Sequence, residues 1–245
     1  MTTCLISLGG NLGDVSATID RALLRLHQPP EISVGSRSSL FRTKPVGADA
    51  GAEFVNAAAV LETSLTAHDL LDRLLATETE LNRVRTIHWG PRTLDLDLLF
   101  FGDAIIDDRP RLRVPHPACW YRRFVLDPLV EIAPQFVHPE KGVSIAELRL
   151  RLMVRPLPVC VVGDAAELER LVASVTPEFP DALMRWCRRP DEVPVNDFGL
   201  LIQLVADDSM NFSRTMSKRI GWLDASDHPG ERRQCLVDIL RSAGL

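Results

Sequence analysis

Trp89-Gly90-Pro91-Arg92-Thr93-Leu94-Asp95-Leu96-Asp97-Leu98-Leu99 decides how the chain is read. From Thr93 the run alternates: Leu94, Leu96, Leu98 and Phe100 share one parity, and Thr93, Asp95 and Asp97 share the other. Strict alternation with apolar and polar residues predicts a β-strand with one buried face. Successive side chains leave a strand on opposite faces, so Asp95 and Asp97 point the same way, with Cα atoms roughly 6–7 Å apart. Two carboxylates that close repel each other unless a cation joins them. Hard oxygen ligands suit Mg²⁺, which takes one or two carboxylates and completes its shell with water and substrate phosphate. Arg92, just upstream, is placed to meet a phosphate as a bidentate fork. Gly90-Pro91 breaks the preceding element and launches the strand. An isolated Asp-Leu-Asp is ordinarily the solvated face of an edge strand. The Trp-Gly-Pro-Arg lead-in is what makes this run specific.

Upstream of it, a helix starts at Thr66, with Asp69 three residues on as a weak capping box. Leu70, Leu71, Leu74, Leu75 and Leu81 form its expected buried stripe. Residues 54–62 read as an apolar strand interrupted by Asn56, and a buried amide needs partners. A bond to local backbone supplies them, and so does a ligand with a donor–acceptor edge. Residues 31–40 read as a weaker strand. Residues 4–8 read as a buried strand, followed by a glycine-rich turn, Gly9-Gly10-Asn11-Leu12-Gly13-Asp14, whose glycines supply unusual φ. That turn has neither a following Lys-Ser/Thr nor a G-x-G-x-x-G spacing, so it is read as structural, not as a phosphate cradle. Asp14 or Ser16 caps the helix that follows, with Ile19, Ala22, Leu23 and Leu26 on one stripe and Pro29-Pro30 after it.

Downstream, residues 105–109 are hairpin-like. His116 stands between prolines, with Arg111 and Arg122 on either side, which makes an anion site plausible. Residues 143–152 read as a helix, and Arg155-Pro156-Leu157-Pro158 as a linker. Beyond it, strands are expected at 158–162 and 200–206, helices at 165–175, 182–188 and 231–243, and a solvated loop at 211–219. No catalytic motif stands out there.

The chain of 245 residues is long enough for one large domain or two small ones. A formal net charge of −5 argues against a broad nucleic-acid-binding surface. Its five cysteines are scattered and form no C-x-x-C pair, which argues against a zinc site or a disulfide framework and suits a reducing cytoplasm. The N-terminus enters a strand at once, without a signal-peptide pattern, and no apolar run approaches the roughly 18 residues of a membrane span.

The Trp89–Leu99 run resembles the signature of the 6-hydroxymethyl-7,8-dihydropterin pyrophosphokinase family, and further matches cover about the first 155 residues. The resemblance implies transfer of pyrophosphate from ATP to the pterin's hydroxymethyl group, with attack at the β-phosphorus and release of AMP. It implies two Mg²⁺ ions on Asp95 and Asp97. It places Glu78, Arg83, Arg85, Trp89, Arg92, Arg111, His116 and Arg122 at ATP, with Asp95, Asp97, Arg85 and Arg92 as the catalytic group. It places Thr43, Val46, Phe54, Asn56, Trp89 and Phe124 at the pterin, with Asn56 meeting its polar edge and Phe124 stacking on its ring. For Glu78 a solvated helix face is the alternative. The chain departs from the family at Gly10, where serine is usual, at Lys44, at Arg123 and in a short 83–89 loop. No residue stands out as a general base.

The order strand, helix, strand, strand, helix, strand over residues 1–155 predicts a ferredoxin-like α+β sandwich with an antiparallel sheet. Residues 1–158 are expected to be the pterin pyrophosphokinase domain. Residues 159–245 are expected to be a small α/β extension of unknown role, with modest effect on the chemistry. The expected partners are small molecules, ATP and the reduced pterin, with no nucleic acid and no membrane. A two-metal nucleotidyltransferase and a catalytically inactive pterin- or nucleotide-binding module are the alternatives.

Overall fold

The computed structural model describes residues 1–45, 51–81, 92–162, 165–187, 199–203, 222–224 and 232–245. The chain forms two compact units. The first comprises Met1–Trp120, Phe124–Pro139 and Ser144–Ala146; the second comprises Tyr121–Arg123, Glu140–Val143 and Glu147–Leu245.

The first unit is built on an antiparallel sheet. Its elements run β1 (Thr2–Gly10), α1 (Val15–Leu26), β2 (Ile32–Arg37), β3 (Phe41–Thr43), β4 (Phe54–Thr63), α2 (Ala67–Glu80) and β5 (Asp95–Phe101). The strand order is β2-β4-β1-β5, and β3 pairs separately with β4. Asp14 caps α1 by accepting a hydrogen bond from the Ala17 amide at 3.0 Å. Thr66 caps α2 by accepting from the Asp69 amide at 3.2 Å. One parity of the strands packs with the helices. Ile6 and Leu8 of β1, Ala57 and Ala59 of β4, and Leu96 and Leu98 of β5 share a core with Ile19 and Leu26 of α1 and Leu70 and Leu74 of α2. Leu71 and Leu75, expected in the stripe, are only half-buried; Thr77 and Glu78 are buried in their stead.

Two further expectations fail in this unit. Gly9 and Gly10 do not turn the chain: they end β1, paired with Asn56 and Val55 of β4. Only Gly13 of that run lies at positive φ, at 71°. The first two glycines are needed for close approach. A Cβ on Gly9 would lie 2.7 Å from the Asn56 amide oxygen, and one on Gly10 would lie 2.6 Å from the Thr93 carbonyl oxygen. The second failure is Phe100, expected on the leucine face. Pairing shifts between Ile6↔Leu98 and Leu5↔Phe100, so Leu99 is an extra residue in β5. A bulge of this kind reverses side-chain parity beyond it. Phe100 therefore packs on Phe136 (ring centroids 4.9 Å) and edge-on to His138 (5.3 Å), while Phe101 joins the helix-side core. The hairpin β6 (Ile106–Asp108) with β7 (Leu112–Val114) follows, then α3 (Arg123–Ile132).

The remaining elements are α4 (Ile145–Leu152), β8 (Leu157–Val162), α5 (Ala165–Val175), β9 (Ala182–Cys187), β10 (Leu200–Gln203), β11 (Trp222–Asp224) and α6 (Arg232–Ser242). The second unit is organised on a parallel sheet in the order β11-β10-β8-β9. Strand β8 is buried on both faces, as a parallel strand flanked by helices should be. Residues 182–188 were expected to be helical. Through residue 187 they form β9 instead, because a six-residue segment gains more from pairing along β8 than from intrinsic propensity. Strand β11 was not anticipated. The expected loop at 211–219 and the end of the strand expected at 200–206 lie outside the described residues. None of the five cysteines forms a disulfide. Among the described residues no helix is long and apolar enough to cross a membrane.

Candidate active site

The face of the first sheet opposite the helices carries Asn56, Asp95 and Asp97. Cross-strand register places Asn56 opposite Gly9, and Gly9 opposite Asp95, so these three lie in one row over β4, β1 and β5. The next row is Ala58, Ser7 and Asp97. Residues directly opposite share a face and neighbouring strands lie about 4.8 Å apart, so the Cα atoms of Asn56 and Asp95 are separated by about 10 Å. Between them Gly9 offers only backbone. The two rows thus form a floor with an amide at one side and two carboxylates at the other.

Each carboxylate has a described partner. Arg92 donates from Nη1 to Asp95 Oδ2 at 2.6 Å, an ion pair whose side chains are about 20% and 25% exposed. Ser7 donates its hydroxyl to Asp97 Oδ2 at 3.3 Å. Glu78, at 2% exposure, is no solvated helix residue. Its Oε1 accepts the Leu96 amide at 2.7 Å, between the two aspartates. Strand β5 ends the sheet order, so alternate amides face away from β1. Glu78 satisfies one of these outward amides. Among the described residues no group of three or more His, Cys, Asp or Glu side chains could hold a metal. The oxygen pair Asp95/Asp97 suits a hard cation that keeps water and phosphate in its remaining positions.

On the amide side, Asn56 is 7% exposed and donates from Nδ2 to Thr43 Oγ1 at 2.8 Å. Thr43 pairs with Phe54 across β3 and β4. The Arg92 guanidinium carbon lies 5.5 Å from the centre of the Phe54 ring, so Arg92 links the carboxylate end to the aromatic end.

His116 is tied to the bulge of β5: its amide donates to the Leu99 carbonyl at 2.9 Å. Its ring Nδ1 accepts the Ala118 amide at 3.2 Å, which leaves the proton of the neutral ring on Nε2. Arg111 is exposed and bonds both oxygens of Asp72, at 2.7 and 2.8 Å. Arg122, in the second unit, lies 6.0 Å over the Tyr121 ring. Phe124, at the start of α3, is half-buried, and Lys44 is exposed. Val46, Arg83, Arg85 and Trp89, and with them the 83–89 loop, lie outside the described residues.

Sequence reasoning missed Ser7, Gly9 and Asn11. Ser7 had a signal, a hydroxyl in an otherwise apolar strand. Gly9 had none, since its part depends on register.

A sheet face with paired carboxylates, an arginine beside them and a buried amide across the same face has the build expected of a metal-dependent phosphoryl-transfer enzyme. The model of one family, 7,8-dihydro-6-hydroxymethylpterin-pyrophosphokinase (HPPK), matches residues 5–134, and the chain belongs to that family. It is 42% identical over 144 residues to the 2-amino-4-hydroxy-6-hydroxymethyldihydropteridine pyrophosphokinase of Synechocystis, covering 59% of this chain and 73% of the relative. It is 44% identical over 143 residues to the enzyme of the same name from Pseudomonas aeruginosa, covering 58% of this chain and 87% of the relative. A solved HPPK-DHPS structure in complex with substrates shows 11% identity and a TM-score of 0.48, covering 86% of this chain and 59% of that one.

Proposed function

We propose that this chain transfers the pyrophosphoryl group of ATP to the hydroxymethyl oxygen of 6-hydroxymethyl-7,8-dihydropterin, a step of folate biosynthesis. The new bond joins that oxygen to the β-phosphorus, the bond from the β-phosphorus to the α,β-bridging oxygen breaks, and AMP leaves. The hydroxyl proton is lost to solvent or to a phosphate oxygen. The row Asn56–Gly9–Asp95 carries this reading. It sets a donor–acceptor amide beside a glycine floor, with Asp95 about 10 Å away between Cα atoms and Asp97 on the next row. A flat heterocycle bound at the amide would turn its substituent toward the phosphates.

Asp95 and Asp97 would hold Mg²⁺, proposed as two ions. Bound there, the cation neutralises charge on the phosphates. Arg92 orients the triphosphate and shields the charge that grows on the departing oxygen. Arg85, Arg83, Arg111, His116 and Arg122 are proposed to complete the anion site, with Trp89 and Glu78 near the nucleotide. Thr43 holds the Asn56 amide in orientation, and Val46, Phe54, Trp89 and Phe124 are proposed to wall the pterin. Positioning and fixed charge supply most of the barrier reduction in such a transfer, so no dedicated base is required.

The sheet order and the two helices on one face fit a ferredoxin-like sandwich, which we take as the fold of the catalytic part. Residues 159–245 are read as an appended α/β part outside the chemistry. Largely buried cysteines without a disulfide suit a reducing cytoplasm. Incubation with ATP, Mg²⁺ and the reduced pterin alcohol tests the reaction: AMP is expected in step with the pterin diphosphate, whereas released pyrophosphate would mark a nucleotidyltransferase.

A further inference from the structure

Asn11 sits immediately after β1 and is 8% exposed. Its backbone amide donates to the Arg92 carbonyl at 2.9 Å, and its side-chain Oδ1 accepts the Arg92 amide at 2.9 Å. Both backbone groups of Arg92 are therefore held by one residue, in the pattern by which a neighbouring strand would hold them. The Leu12 amide adds a second donor to the same carbonyl at 3.2 Å. The remaining end of the side chain, Nδ2, donates to the Ala52 carbonyl at 3.1 Å, just before β4.

The approach that makes this clasp possible is built into the preceding residue. A Cβ on Gly10 would lie 2.6 Å from the Thr93 carbonyl oxygen and 3.2 Å from that of Arg92. Those contacts are to backbone, which cannot swing aside as a side-chain tip can. Gly10 thus lets β1 run hard against residues 92–93, and Asn11 locks the contact.

Arg92 is where this matters. Its guanidinium reaches Asp95 at 2.6 Å and lies 5.5 Å from the centre of the Phe54 ring. It lies just before β5, so its side chain inherits whatever freedom its backbone has. The amide accepts from the Arg92 N–H through one end and donates to the Ala52 carbonyl through the other. Aspartate would keep the acceptor and lose the donor; leucine would lose both. We propose that Asn11 is a positioning residue for the phosphoryl-transfer site, acting through Arg92: it fixes the arginine's backbone so that the guanidinium is aimed before substrates arrive. The inference rests on the reading of Asp95 and Arg92 as parts of that site.

The test is a double-mutant cycle on the full chain, read as kcat/KM for AMP formation from ATP and the reduced pterin alcohol. Asn11→Ala should lower kcat/KM by roughly 10- to 100-fold, the scale of a misplaced catalytic group. In an Arg92→Ala background the same substitution should change it by less than about twofold, because the group it positions is gone. A merely structural asparagine would act equally in both backgrounds, and multiplicative losses would overturn the proposal, as would Asn11→Ala at wild-type activity. If Arg92→Ala itself leaves activity unchanged, it is the site reading that fails. Thermal unfolding of each variant checks folding. Should Asn11→Ala not accumulate as folded protein, Asn11→Ser, which keeps turn chemistry but cannot span to Arg92, takes its place in the cycle with the same two outcomes.

Discussion

Replacing Gly9 with alanine is the sharpest probe of the floor between Asn56 and Asp95. The added Cβ would lie 2.7 Å from Asn56 Oδ1, with the next contacts at 3.7 Å and 3.8 Å. Only the amide tip must move, and it can do so by rotating, but rotation forfeits its 2.8 Å bond to Thr43. That loss costs about 0.5–1.5 kcal/mol. Alanine in a strand interior is favoured over glycine by roughly 0.5–1 kcal/mol through backbone entropy. The two terms nearly cancel, so the thermal midpoint should stay within a few degrees of wild type. Binding should not be so forgiving. A displaced amide leaves the pterin's polar edge unpaired, at about 1–3 kcal/mol, or roughly 5- to 150-fold in Kd. Calorimetric titration with the pterin and, separately, with a nucleotide should show the first affinity fall and the second hold. An unchanged pterin affinity in a folded Gly9→Ala protein would refute the assignment of this row to the pterin.

Asp95→Ala and Asp97→Ala should each abolish turnover at ordinary Mg²⁺ while circular dichroism stays native, because neither side chain belongs to the helix-side core. Glu78→Ala should lower stability by about 1–3 kcal/mol in denaturant unfolding, since the Leu96 amide it accepts is buried and loses its partner; Glu78→Gln, which keeps an acceptor, should recover most of that. Burial pushes the Cys4 and Cys235 thiols up to about 12. Both should therefore resist alkylation at pH 8 in the native protein and react once unfolded, and their contribution should reduce stability as pH rises from about 9 towards 12, where the unfolded thiols ionise first. A chain ending at residue 158 should keep AMP formation per folded molecule, because every donor on the two rows belongs to the first unit; a folded truncation that binds nucleotide without turnover would give residues 159–245 a part in the reaction.

Much of the first unit was legible because its signals are local. The caps Asp14 and Thr66, the α1 stripe and the Asp95/Asp97 parity each depend on residues within a few positions of one another. What escaped notice depends on pairing. Gly9 and Gly10 read as a turn because their role, clearing Asn56 and Thr93, exists only once β1 lies between β4 and β5. Phe100 was put on the wrong face because a single inserted residue, Leu99, inverts parity without a trace in composition. Glu78 left two readings open because a helix pattern does not say what lies across from it; the answer is the outward amide of an edge strand. In the second unit, β9 carries helix-favouring residues and becomes a strand through its register with β8, a preference of partner over sequence.

The measurement that bears most directly on the reaction is a nucleotide analysis after incubating the purified full chain with ATP, Mg²⁺ and 6-hydroxymethyl-7,8-dihydropterin. The proposed chemistry predicts one AMP for each pterin diphosphate formed, no free pyrophosphate, and no product when Asp95 or Asp97 is alanine. Formation of pyrophosphate, ADP or inorganic phosphate in place of AMP, or full activity in both aspartate variants, would contradict it.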